Sequence, residues 1–186
     1  MKTLQSLLLA IAITTSLFAQ PNPQNHTEVS LSGLYQNYST ANSSTSTGAF
    51  LISPRVGFYV IKGLEIEPEA MFMFISGSDP VYLLNANISY NFISSAKTVP
   101  FLLIGYGISN TVPFLNVPSY RTDFGINVFN IGGGLKTYLN ENVALRVEYR
   151  YQRFSGQNEE NNGFYSYSQN VDNRIHTIQV GFSVLL

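Results

Sequence analysis

The stretch Leu64-Glu65-Ile66-Glu67-Pro68-Glu69-Ala70-Met71-Phe72 decides the fold. Glu65, Glu67 and Glu69 alternate with Leu64, Ile66, Pro68, Ala70 and Phe72. A strand sends successive side chains to opposite faces, so this segment has one charged face and one apolar face. Val143 to Tyr151 repeats the rhythm: Arg146, Glu148 and Arg150 alternate with Val143, Leu145, Val147, Tyr149 and Tyr151. A soluble half-buried strand also alternates. The rest of the chain must therefore say which face meets water.

The chain has 186 residues, a length that suits one domain. It is 45% hydrophobic and only 11% charged, where soluble proteins carry roughly a quarter charged residues. The 12 Tyr and 13 Phe suit strands. A net charge of −1 argues against nucleic acid as a partner. The absence of Cys excludes disulfides, Cys-ligated zinc and an acylated N-terminal Cys.

Met1-Lys2-Thr3 is a short basic start, Leu4 to Phe18 is mostly apolar, and Ala19 precedes Gln20. This reads as a secretory signal peptide over residues 1–19, although Leu17 departs from the small-x-small cleavage rule. Residues 20–26 form a Pro- and Asn-rich leader, and 27–186 the folded domain. No later stretch approaches the ~20 apolar residues a membrane helix needs.

The mature chain divides into strand-like segments at about 27–38, 49–60, 64–75, 80–92, 99–110, 124–139, 142–154 and 173–186. Each is long enough for the ~9–11 residues that a tilted strand needs to cross a bilayer. The connections at Ile61-Lys62-Gly63, Ile93 to Thr98 and Asn140-Glu141 are short. Those at Ser39 to Gly48, Thr111 to Asp123 and Ser155 to Asp172 are longer, while Ser76 to Asp79 is brief. Short turns on one side and long loops on the other are the habit of up-and-down membrane barrels. An even strand number then puts both termini on the periplasmic side.

One parity of every segment is uncharged, as in Val29, Leu31, Val56, Phe58, Ile104 and Val180. The other carries Ser30, Ser32, Arg55, Asn85, Asn87, Lys136 and the charged series above. A soluble barrel buries its apolar face; a membrane barrel turns it to lipid around a polar lumen. Three observations select the second. The polar face is rich in Ser, Asn and Gly, unlike a water-facing surface. Aromatics on the apolar parity gather near strand ends, with Tyr35, Phe72, Phe74, Tyr82, Phe129, Tyr149 and Tyr151 at one end and Tyr90 and Phe92 at the other. The signal peptide supplies an export route.

Pro54-Arg55-Val56-Gly57-Phe58-Tyr59-Val60, Pro100 to Gly107, Gly132 to Lys136 and Leu145 to Tyr151 resemble the second, fifth, sixth and seventh strands of the small OmpA/OmpX-type barrels. The last strand, with Ile178, Val180, Phe182, Val184 and Leu186 on one parity, is similar to the C-terminal signal read by the barrel-assembly machinery, although this chain ends in Leu where family members usually end in Phe. The resemblance implies an all-β, eight-stranded antiparallel up-and-down transmembrane β-barrel in the bacterial outer membrane. Outer-membrane lipid and the assembly machinery are its implied partners.

The lumen parity carries Arg55, Lys136, Arg146 and Arg150 against Glu65, Glu67, Glu69 and Glu148. Eight strands leave room for little but side chains. The equal charges predict a plug of ion pairs, since an unpaired buried charge is costly. A proton or ion path is the alternative, because charge inside a membrane is often functional.

Catalytic signals are thin. His26 lies in the leader, and His176 falls on the lipid-facing parity with Arg174 and Ile178 as same-face neighbours, so its own strand offers no nucleophile. Glu159, Glu160 and Asp172 read as a solvated acidic loop sooner than a Ca²⁺ site, which takes about six to eight oxygens. Gly132-Gly133-Gly134 lies within a strand and is no phosphate loop. No enzyme activity, cofactor or metal is expected.

The loops carry the recognition signals. Phe164, Tyr165 and Tyr167 stand in a polar setting, and the connection after the fifth strand holds Phe114, Leu115 and Tyr120. These residues either extend the strands and pack across the mouth, or form a surface for an extracellular ligand or protein. The sequence therefore points to a non-enzymatic barrel with an envelope-structural or adhesion-like role. A small channel, a lipid-modifying enzyme and a soluble lipocalin-like barrel are the alternatives.

Overall fold

The computed structural model describes residues 27–39, 46–93, 96–113, 124–161 and 166–186. The strands are β1 (Thr27–Ser39), β2 (Ser46–Ile61), β3 (Leu64–Ile75), β4 (Val81–Asn91), β5 (Thr98–Ser109), β6 (Ile126–Tyr138), β7 (Val143–Asn161) and β8 (Ser166–Leu185). Each pairs antiparallel with the next, and β8 returns to β1, so the sheet closes into the expected eight-stranded up-and-down barrel. Closure matters physically, because lipid offers no partner for the bare edge of an open sheet.

One end of the barrel carries Thr27, Leu186 and the connections after β2, β4 and β6; it is called the turn end here. The other, the loop end, carries the connections after β1, β3, β5 and β7. At the turn end, Lys62-Gly63 reverses the chain with Gly63 at φ 83°, a left-handed conformation that glycine adopts without steric cost. The Asn91 amide donates to the Gly63 carbonyl at 2.6 Å. The Asn140 side-chain oxygen accepts from the Asn142 and Val143 amides at 2.9 and 2.8 Å, fixing the β6–β7 turn.

Parity is inverted relative to a water-soluble barrel. Leu31, Ile66, Ile88, Ile104, Val147 and Val180 face outward, while Glu65, Glu67, Glu69 and Arg146 are buried inside. Phe72 and Tyr82 meet edge-to-face at 6.0 Å near the loop end, and Tyr90 and Phe92 at 5.0 Å near the turn end. These pairs sit where the amphipathic rings of a membrane barrel meet the two interfaces. The interior is narrow enough that a Cβ at Gly57 would overlap the Glu65 carboxylate, and one at Gly105 the Asn87 side chain. Small wall residues thus make room for polar ones.

Two expectations about the loop end change. The connection expected over Ser155 to Asp172 is largely a hairpin, with unbroken β7–β8 pairing from Val143↔Val184 to Asn161↔Ser166. Tyr167, expected in a loop, is a β8 residue opposite Glu160. Ladder bonds are made by the backbone, so a polar run such as Gln157 to Asn161 extends a strand as well as an apolar one. Phe114, Leu115, Tyr120, Phe164 and Tyr165 lie outside the described residues, as do the signal segment 1–19 and the leader 20–26.

Val147 sits on the outer face between Leu135 of β6 and Val180 of β8. Val147→Arg should cost ~2–4 kcal/mol of stability if this position lies at the bilayer midplane, whereas Val147→Ile should be neutral. A urea titration in lipid vesicles, read as the fraction running at the folded position on an unheated gel, checks this. A Val147→Arg barrel as stable as the parent would invert the assignment of faces.

Candidate functional site

All of the lumen charges named from sequence are buried inside the barrel, where they form one connected layer. Glu148 is its hub. One of its oxygens accepts from Arg55 Nη1 at 2.6 Å and Arg146 Nε at 3.0 Å; the other accepts from Arg150 Nε at 2.7 Å. Glu69 lies one level nearer the loop end. It accepts from Arg55 Nε at 2.8 Å, Arg150 Nη1 at 2.5 Å and the Ser53 hydroxyl. Asn87 and Asn85 donate to it at 2.9 and 3.2 Å. Glu67 accepts from Arg146 Nη2 at 3.0 Å and Ser89 at 2.5 Å. Forked guanidinium contacts let three arginines serve several carboxylates at once.

Sequence reasoning missed one member. Glu28, at the start of β1, is fully buried and accepts from Lys136 Nζ at 2.8 Å and the Tyr59 hydroxyl at 2.9 Å. Lys136 donates at 2.9 Å to Glu65 as well. The signal was present, since Glu28 shares the inward parity of Ser30 and Ser32. The interior thus holds Glu28, Glu65, Glu67, Glu69 and Glu148 against Arg55, Lys136, Arg146 and Arg150, one carboxylate more than the expected balance. Phe101 also enters this layer, with the Arg146 guanidinium 4.4 Å and the Lys136 ammonium 5.6 Å from its ring centre. A cation over a desolvated ring is held by the ring quadrupole.

The charged layer lies between two apolar ones. Towards the loop end, Leu51, Met71, Met73, Leu83, Val128 and Phe154 fill the bore, and Val112 from the connection after β5 packs onto them. Towards the turn end, Val99, Tyr138, Ala144 and Leu185 form a smaller cluster. The sequence reading expected a polar lumen throughout. Beyond Glu69 the inward parity instead turns apolar, and the wall there is apolar on both faces. An ion would have to shed water to pass either cap, which is the basis of gating by hydrophobic constriction.

The outer wall carries polar groups near the loop end. His176 faces outward, with its Nδ1 2.6 Å from the Tyr149 hydroxyl of β7 and its ring 5.2 Å from that of Tyr151. β7 therefore supplies the hydroxyl that His176 lacks on its own strand. Nearby, Arg153 donates through Nε and Nη2 to both oxygens of Asp172, each at 2.9 Å. Asp172, weighed as a metal ligand, is thus held by an arginine; the side chains of Glu159 and Glu160 lie outside the described residues. No group of three or more His, Cys, Asp or Glu among the described residues could hold a metal. Gly132, Gly133 and Gly134 lie inside β6.

The family model described as the outer membrane protein beta-barrel domain matches residues 6–184. The crystal structure of Neisserial surface protein A is similar in fold, with a TM-score of 0.62, 16% identity and coverage of 86% of this chain and 97% of that one. A de novo designed transmembrane β-barrel aligns over 91% of this chain and 100% of its own, at 15% identity and a TM-score of 0.46. No curated protein matches the sequence.

Glu148→Gln should destabilise the barrel by ~3–5 kcal/mol, because it leaves three buried guanidinium groups without their shared carboxylate. Phe154→Ala, in the apolar cap, should cost ~3–5 kcal/mol through the cavity it opens. Denaturant midpoints in the same detergent measure both. A Glu148→Gln barrel with an unchanged midpoint would show that the hub is dispensable.

Proposed function

The chain belongs to the outer membrane protein β-barrel domain family of the bacterial outer membrane, and from that premise we propose that it is a non-enzymatic barrel with a surface-interaction role. The observation that carries this reading is the filled bore. Apolar side chains occupy both ends, and the five carboxylates and four cations between them are joined in one layer of ion pairs and hydrogen bonds. Such an interior has nothing to conduct and no open floor for a substrate. Function then belongs to the rim.

In this reading the loop end faces outward from the cell and the termini face the periplasm. The β7–β8 hairpin is made of the two longest described strands. From Arg153, beside the last aromatic row, to Asn161 it extends about 25 Å at ~3.3 Å per residue. In the sequence Phe164 and Tyr165 fall between the end of β7 and the start of β8, and Tyr167 is the second residue of β8. Aromatic residues on an exposed, rigidly based hairpin are favoured anchors for a partner. Phe114, Leu115 and Tyr120, in the connection after β5, belong to the same rim.

Replacement of Phe164, Tyr165 and Tyr167 by Ser should leave the barrel heat-modifiable on gels, because in the sequence these residues lie beyond the lipid-facing rows of β7 and β8. The same variant should reduce adhesion of whole cells to host or neighbouring-cell surfaces. Normal adhesion would remove the hairpin as the binding element, and failure to assemble would make its aromatics structural. In planar bilayers the parent protein should show no stable openings. Ion-selective steps altered by Glu67→Gln or Arg146→Gln would establish a channel instead.

A further inference from the structure

Two independent features coincide on the outer wall near the loop end. The first is charge. Among the described side chains of the strands, Arg153, Asp172 and Arg174 are the only charged ones that face outward. Arg153 and Arg174 are direct partners across the β7–β8 ladder. Like charges placed opposite each other destabilise a strand pair. Asp172 neutralises Arg153 through the paired 2.9 Å contacts. The Arg174 guanidinium makes no hydrogen bond or ion pair among the described residues, so the patch carries a cation in excess.

The second feature is the ladder. β1–β8 pairing stops at Gly33↔Val180, although β1 runs on to Ser39 and β8 starts at Ser166. Continued register would set Tyr35 opposite Ile178, Asn37 opposite His176 and Ser39 opposite Arg174. None of these ladder pairs forms. Backbone groups on the two facing edges therefore lack strand partners at the height of the patch. At a lipid boundary such groups need another partner. On the inner side of this seam Leu34 and Ile175 pack against the apolar cap.

We propose that Arg153 and Arg174, beside the unpaired part of the β1–β8 seam, hold the anionic phosphate headgroup of a membrane lipid. A guanidinium recognises phosphate through parallel N–H donors. Backbone amides of the seam that form no β1–β8 ladder pair would add neutral donors. Tyr149, Tyr151 and His176 form a polar-edged shelf immediately below, on the lipid side, where the glycerol and first carbons of the chains would lie. The height is right for a headgroup, because the arginines follow directly on the last outward aromatic row of β7. The site is independent of the hairpin's role in recognition.

The test is native mass spectrometry of the purified full-length barrel in detergent, titrated with phosphatidylglycerol and, separately, with zwitterionic phosphatidylcholine. The parent should bind phosphatidylglycerol more tightly. Arg174→Gln should weaken that binding about fivefold, the size expected for one basic residue at a membrane surface. Arg153→Gln with Arg174→Gln should abolish the preference. Because the Arg174 guanidinium makes no hydrogen bond or ion pair among the described residues, the single variant should keep the folded gel mobility, so the test stands even if the double variant fails to fold. Lys62→Gln, at the turn end, should change nothing. The proposal is overturned if Arg174→Gln binds phosphatidylglycerol as the parent does, or if Lys62→Gln weakens it equally. Inorganic phosphate at equal concentration displacing the lipid would also overturn it, by assigning the site to a free anion.

Discussion

The Glu148 carboxylate, shared by Arg55, Arg146 and Arg150, is the interaction on which the rest of this barrel depends. These residues come from β2 and β7, and Arg150 and Arg55 reach on to Glu69 of β3. The network therefore ties strands that are not neighbours in the sheet across the bore. A closed sheet satisfies its own backbone, but it does not by itself fill its centre. Charges placed there are stable only as a set, because each buried ion without its partners carries a large desolvation penalty. The fold tolerates a charged interior because that interior is small, shared and capped.

The caps explain why so small a barrel can be polar inside without being a pore. Met71 and Met73 continue the parity of Glu65, Glu67 and Glu69, so the same strand face is charged at mid-height and apolar towards the loop end. Leu51, Leu83, Val128 and Phe154 make the same change on their own strands. Burying apolar surface against apolar surface closes that end with no geometry to satisfy, whereas the ion-pair layer fixes register and direction. The two layers divide the work between filling the bore and specifying it.

Much of this was legible in the sequence, for one physical reason. A period of two survives wherever one face of a strand meets lipid and the other meets charge. β3, β4 and β5 were therefore placed within a residue or so at each end. The reading failed where that contrast disappears. Above Glu69 both faces are apolar, so alternation no longer separates inside from outside, and the Met71 cap went unnoticed. Beyond Arg153 both faces are polar, so the continuation of β7 to Asn161 and the start of β8 at Ser166 looked like loop. Glu28 stood too near the start of its strand for its parity to weigh. The Tyr149–His176 contact needs the register of two strands, which no single-strand pattern contains.

The seam between first and last strands is the part of the design that cannot be symmetrical. Every other neighbouring pair is consecutive in the chain, but β1 and β8 are joined by no connection and meet through their own contacts. That ladder is confined to Glu28–Gly33 against Val180–Leu185, beside the ion-pair layer that also contains Glu28. Gly181 lies opposite Ser32 near the upper end of this ladder, where a Cβ would collide with the β1 backbone, so the two strands approach closely there. Closure is thus concentrated at the turn end, and the loop end is held by packing of Leu34 and Ile175 against the apolar cap. A barrel built this way closes its seam beside its charges, and leaves the facing edges of β1 and β8 without ladder pairs at the height of Arg153 and Arg174.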